Sequence, residues 1–304
     1  MTEQRGYTQL RVYMDTIVSI AVSDHGAGPA NVAQRVERGF GWFAEVEQRC
    51  SRFDPESELS RLCGQSGTPV RVSPLLFRAL EFALGVAEAS GGAFDPTVGR
   101  AMQLQGFNRN YLTGIEANTA ANADPTASYR DVLLDAATSS VTLRGPLLLD
   151  LGAVAKGFAI DLAATELSDF AGFAINAGGD VRVQGLSIEG IPWRIGIRHP
   201  RNHNELVDVL SLTEGALCTS GDYERRSARG GHILQPESRS PAASLVSVSV
   251  LAPSAMLADA LSTAAFVLGP EAGLAFLEGQ GIEGLLVTDA LERISTKGLS
   301  ANRP

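Results

Sequence analysis

DLGAVAKGFAID, residues 150–161, decides how the rest of the chain is read. Apolar residues Pro146 to Leu149 and then Leu151 lead into it, with Asp150 as their only break. Gly152 and Ala153 make a small-residue turn, and a helical pattern then opens with Lys156 on its first turns. The succession reads as strand, glycine turn and helix start, which points backbone N–H groups and a partial positive charge at an anion. Lys156 adds a full charge at the same place, and Asp150 is placed to hold a metal or the polar edge of a ligand. Neither Walker A spacing nor GxGxxG is present. Alone, the segment suggests a phosphate-bearing ligand held outside the standard nucleotide loops.

The flanking sequence supplies the elements around it. Residues 7–23 alternate as one or two strands, and Pro29 to Arg49 has helical spacing with Val32, Val36, Phe40, Phe43 and Val46 on one face. Asp54 reads as the cap of a short helix with Pro55 at its first position. Ser73-Pro74 opens another helix that runs to Ser90 and is ended by Gly91-Gly92. Residues 129–149 turn to a β pattern, with a hairpin through Thr138-Ser139-Ser140. A helix over 153–168 precedes short strands near 173–175, 181–186, 193–198, 206–212, 231–234 and 244–251. Helices over 254–268 and 271–278 follow, then a hairpin over 284–295 and a frayed tail after Thr296. Residues 114–128 read as a surface excursion. Irregular strand and helix order predicts an α+β fold with antiparallel sheets and packed helices, in one compact domain spanning 1–304.

Bulk properties exclude several roles. The chain of 304 residues is 44% hydrophobic and 19% charged, and its length allows a substantial core. A formal net charge of −9 with no basic run argues against a nucleic-acid surface. No apolar run approaches the roughly 20 residues of a membrane span. Cys50, Cys63 and Cys218 are irregularly spaced, without CxxC, and read as buried or idle thiols of a reducing compartment. The opening MTEQRGYTQLRVYM lacks the apolar segment of a secretory signal, so a cytoplasmic location is expected.

Polar clusters beside glycines carry the remaining signals: Phe94-Asp95-Pro96-Thr97, Asn176 to Asp180, and Thr219 to Arg225. Each reads first as an Asx-type turn satisfying its own backbone. Gly178-Gly179 also permits close approach of a ligand to the backbone. In MLADALSTAAFVLG, Asp259 and Thr263 stand at i and i+4 and share a helix face. They can offer two hard oxygens to Mg²⁺, or else Thr263 bonds back to its own helix. His25 reads as solvated, and His199 and His203 straddle Pro200, which defeats a helical metal pair. His232 reads first as a structural histidine, although histidine is also the usual general base near neutral pH.

Taken in order, MDTIVSIAV, SRFDPESELSRL, GGAFDPTVG, LDLGAVAKGFAID, FAINAGGDVRVQG, WRIGIRHP, TSGDYERR, HILQP and ADALSTAAFVLG resemble the ApbE family of FAD:protein FMN transferases. The resemblance covers most of the chain. It implies a single α+β domain related to the T-fold, which cleaves FAD with Mg²⁺, links FMN to a Thr or Ser of a partner flavoprotein bearing a flavinylation motif, and releases AMP. By the same resemblance Met14, Phe53, Ala93, Phe94, Asp95, Asp150 and Lys156 match positions that hold the flavin nucleotide; Gly178 and Gly179 are further cofactor-binding candidates on the close-approach reading given above. The Ala153 carbonyl, Asp259 and Thr263 match the magnesium ligands, with Ser262 beside them. His232 matches a histidine that deprotonates the acceptor hydroxyl. Two departures stand out: HILQPESRS replaces the family's HI-[IV]-D-P-x-T-G, and Asp15 stands where glycine is usual. FAD hydrolysis to FMN and AMP, or FAD binding without catalysis, are the alternative activities.

Overall fold

The computed structural model describes residues 5–24, 28–108, 114, 116, 123–124, 126–202, 204–223, 226–227 and 230–304. Its centre is the helix Gly152–Leu167, formed by the second half of the opening stretch. Val154, Ala155, Phe158, Ala159, Ile160, Ala163 and Leu167 are all buried, so apolar side chains surround the helix instead of forming one stripe. That is the pattern of a helix packed on every side. It packs between the helices Pro29–Cys50 and Ala255–Leu268.

Two residues of the stretch join it to Ala255–Leu268. A Cβ on Gly157 would lie 2.4 Å from the Ala255 carbonyl oxygen, so only glycine permits this approach. Asp161 accepts the N–H groups of Ala255 and Met256 at 2.9 Å each, satisfying open donors at the start of the second helix.

These helices cover one face of an eight-stranded antiparallel sheet. In spatial order its strands are Arg5–Tyr13, Thr16–Asp24, Gly172–Ala177, Asp180–Gly185, Glu214–Gly221, Leu245–Ala252, Glu283–Thr288 and Arg293–Ser295. Alternation divides the side chains: Ala216, Cys218 and Leu286 enter the helix-side core, while Leu217, Leu285 and Val287 enter a second cluster. That second cluster includes Ile195, Ile197, Leu210 and Leu212 of the ribbon Trp193–Arg198 and Leu206–Leu212, and also Leu299. A small sheet of Val70–Arg71, Ser140–Leu143 and Val132–Asp135 lies apart. The α+β class with antiparallel sheets and packed helices is as expected.

Several local expectations are corrected. Leu147 to Leu149 form no strand; they are a buried extended segment, pinned where Gly99 N–H donates to the Leu148 carbonyl and Asp150 N–H to that of Pro96. The short helix begins at Glu58, capped by Ser57, while Asp54 accepts the Glu56 N–H in a turn before it. No strand spans 231–234: Gly230–Gly231 pairs with Arg226–Ser227, and Leu234 makes an isolated bridge to Pro241. The strand Glu214–Gly221 was hidden behind its polar end. The tail is packed, with Leu299 buried and Arg303 bonded to Asp208 at 2.9 Å. Of 114–128, the described residues include Ala123 and Ala127, which are buried; 115, 117–122 and 125 lie outside the described residues, as do His25 and His203.

Candidate functional site

A cavity of about 230 Å³ opens at the N-terminus of the helix Gly152–Leu167. Its wall takes Gly152, Ala153 and Lys156 from that helix, Asp259 and Thr263 from the next, and His232 to Leu234 from the loop across it. Met14, Phe53, Ala93, Phe94, Asp95 and Asp150 complete the set that the fold brings together. Gly178 and Gly179 stand outside this wall. They turn between two strands at φ +64° and +103°, and a Cβ on Gly178 would lie 2.5 Å from Thr16 Oγ1. The backbone close to Gly178 is therefore met by Thr16.

The charged centre is Lys156. Its ammonium pairs with Asp180, which is 2% exposed, and lies 3.5 Å from Asp259 Oδ2. Asp259 Oδ2 also takes the Gly157 N–H at 3.3 Å, an approach that depends on the bare glycine between the helices. Asp180 Oδ1 accepts the N–H of Thr219 at 3.0 Å, tying the strand Glu214–Gly221 to the same cluster. Asp180 is a site residue the sequence reading missed, because NAGGD reads locally as a turn.

Asp150 has two tasks. One oxygen accepts the Gly152 N–H at 2.8 Å at the helix start, and the other receives Arg52 Nε at 2.5 Å. Arg52, 4% exposed, also donates to the Phe107 carbonyl and lies 4.1 Å from the centroid of the Phe53 ring. One face of Phe53 is thereby stacked against a guanidinium. Asp95 accepts Thr97 N–H, Thr97 Oγ1–H and Tyr129 N–H, so its carboxylate shapes the loop from within, as the Asx-turn reading expects.

Around the Met14 end the backbone is left-handed at Met14 and Asp15, with φ +50° and +61°. This explains why glycine suits the second position. Glu47 accepts the Met14 N–H at 3.2 Å. Burial pushes the Glu47 carboxyl above its ordinary range, the Met14 N–H opposes that, and the charges of Asp15 and Asp54 add to it.

The thiols are quiet. Burial pushes Cys50 up to about 12 and Cys63 to about 11, and holds Cys218 well above its ordinary value. All three are free cysteines. Among the described residues no three His, Cys, Asp or Glu side chains cluster as a metal site. His232 faces the cavity with its ring 6.2 Å from that of Phe107, edge-on. Gln235 donates its side-chain amide to the Val267 carbonyl at 2.9 Å, anchoring the loop to the end of Ala255–Leu268. A carboxylate could not make that bond. His199 Nδ1 accepts the N–H groups of Arg201 and Asn202 and serves its own turn. No helix among the described residues is long and apolar enough to cross a membrane.

Comparison with known proteins fits this arrangement. The chain is 30% identical to the FAD:protein FMN transferase of Haemophilus influenzae, over 95% of this chain and 88% of that one. It is 32% identical to the Treponema pallidum protein of the same name, over 93% and 84%. The crystal structure of the ApbE protein of Thermotoga maritima superposes with a TM-score of 0.85 at 29% identity, covering 99% of this chain and all of that one. Flavin transferase ApbE of Vibrio cholerae gives 0.85 at 26% identity, covering 98% and 99%. The ApbE family profile matches residues 14–286, and the chain belongs to the ApbE family.

Proposed function

We propose that this protein is a magnesium-dependent FAD:protein FMN transferase acting on a Thr or Ser of a partner flavoprotein. The observation that carries the reading is one cavity uniting a helix N-terminus, Lys156, and the oxygens of Ala153, Asp259 and Thr263. The relatives of H. influenzae and T. pallidum are named FAD:protein FMN transferase.

The donor set suits Mg²⁺. It is made of hard oxygens, with one carboxylate, one hydroxyl and one backbone carbonyl, and Mg²⁺ takes its remaining ligands from water and substrate phosphates. An ammonium already lies against the Asp259 carboxylate, which marks the place as one that favours positive charge. Buried, protonated thiols offer no competing soft ligand.

In this reading Lys156 and the first N–H groups of its helix bind the pyrophosphate. Phe53, backed by Arg52, presents an aromatic face to a ring of the nucleotide. His232 takes the proton of the acceptor hydroxyl, whose oxygen bonds to the FMN phosphorus as the bond to the bridging oxygen breaks and AMP leaves. Bound Mg²⁺ would supply charge to offset that building on the phosphate oxygens. Free thiols support a cytoplasmic setting, and we read residues 1–304 as one domain.

The test is incubation with FAD, Mg²⁺ and an acceptor carrying a flavinylation motif, following AMP and protein-bound flavin. AMP with labelled acceptor is the expected result. The Gln235 anchor, where the family carries a carboxylate, favours hydrolysis as the second reading, and AMP without labelled acceptor would establish it. Tight FAD binding with no AMP would overturn both. Asp259→Ala is expected to abolish Mg²⁺-dependent turnover in a folded protein. His232→Ala should slow transfer by about 10²–10⁴-fold with little change in FAD affinity; equal losses in both would make it a structural histidine.

A further inference from the structure

Thr263 ends a chain of hydroxyls whose direction the geometry fixes. Ser262 Oγ lies 2.8 Å from the Asp259 carbonyl oxygen, to which it can only donate. Ser262 is fully buried and has a single hydroxyl hydrogen, so in its 2.8 Å contact with Ser220 Oγ it accepts. Ser220 therefore donates to Ser262, and its one hydrogen is spent. Its remaining contact, 2.9 Å to Thr263 Oγ1, then requires Thr263 to be the donor. Hydrogens run from Thr263 to Ser220 to Ser262 to the Asp259 carbonyl.

We propose that Ser220 is a positioning residue for cation binding: by accepting the Thr263 proton it leaves the Thr263 oxygen as a pure lone-pair donor towards the cavity. The proposal rests on the metal reading given above. Reversed, the chain would aim the Thr263 hydrogen away from Ser220 and set a positive dipole against a cation. Ser262 is what prevents reversal, since its own hydrogen is held by the backbone of the Asp259 turn. Ser220 is itself held in place, because it lies near the end of the strand Glu214–Gly221, next to Thr219, whose N–H is bound by buried Asp180. The helical alternative, Thr263 bonding back to its own carbonyl, is taken instead by Ser262.

The experiment is titration of the full-length protein with Mn²⁺, in the absence of flavin, read by loss of the free-ion EPR signal. Ser220→Ala should weaken Mn²⁺ binding about tenfold, and Ser262→Ala should weaken it in the same direction although Ser262 does not line the cavity. The Ser220→Ala, Thr263→Ala double variant should bind no more weakly than Thr263→Ala alone, because the effect passes through Thr263. Melting temperatures without metal, close to wild type, would report an intact fold. Wild-type affinity in Ser220→Ala, or independent losses in the double variant, would overturn the proposal while Thr263 remained a ligand. Mn²⁺ binding indifferent to both Asp259→Ala and Thr263→Ala would instead overturn the metal reading itself.

Discussion

Glu47 is a residue whose environment works against its charge. Its carboxyl is raised from an ordinary value of 4.5, with burial the largest cause. Below that value both folded and unfolded chains hold the proton and no penalty arises. As pH rises, the unfolded chain releases its proton first, so stability falls until the folded carboxyl ionises too. Glu47→Gln keeps an acceptor for the Met14 N–H and should raise the melting temperature at neutral pH by roughly 1–2 °C, solvent screening limiting the gain. The difference should fade below pH 4.5, and thermal scans across pH would show it; a constant offset would refute the cause. Residues of this kind were the least legible in the sequence. Lys156, Asp259 and Thr263 announced themselves by charge or spacing. Asp180 and Arg52 did not, because each acts through a partner far away in the chain.

At the scale of elements the helices were read well and the strands less so. Apolar residues at helical spacing name the buried face directly, as Val32, Val36, Phe40, Phe43 and Val46 do. Strand Glu214–Gly221 mixes small and polar residues, and nothing in its own pattern separates it from a turn. The segment at Leu147 to Leu149 has the composition of a strand, yet the Leu148 carbonyl accepts the N–H of Gly99 at the start of the short helix Gly99–Leu104 instead of pairing with a neighbouring strand. The contact between Gly152–Leu167 and Ala255–Leu268 is where an element decides the site. Gly157→Ala would drive a methyl against the Ala255 backbone, separating Lys156 from Asp259. A cost of about 1–3 kcal/mol is expected, with a lower melting temperature and, on the metal reading proposed above, weaker Mn²⁺ binding together. Loss of stability alone would mean that the helices yield elsewhere.

For the molecule as a whole, the sheet separates the helix-side core, whose helices line the cavity, from a second core under the ribbon. The tail closes the second one. Removing residues 297–304 would uncover the cluster around Leu299 and release Arg303 from Asp208. Loss of one such buried side chain costs about 1.5–3 kcal/mol, which a urea midpoint would register, while flavin binding in the native baseline should persist. An unshifted midpoint would restore the frayed tail. The strand order has a further consequence. Followed along the chain, each new strand of the large sheet is added beside the previous strand of that sheet, with the strands of the smaller sheets between them in sequence. A polypeptide leaving the ribosome can thus lay the sheet down in the order of synthesis, each arriving strand covering the edge left bare by the last. Apart from the fixed outer edge at Arg5–Tyr13, only one growing edge is then bare to neighbouring chains at any stage.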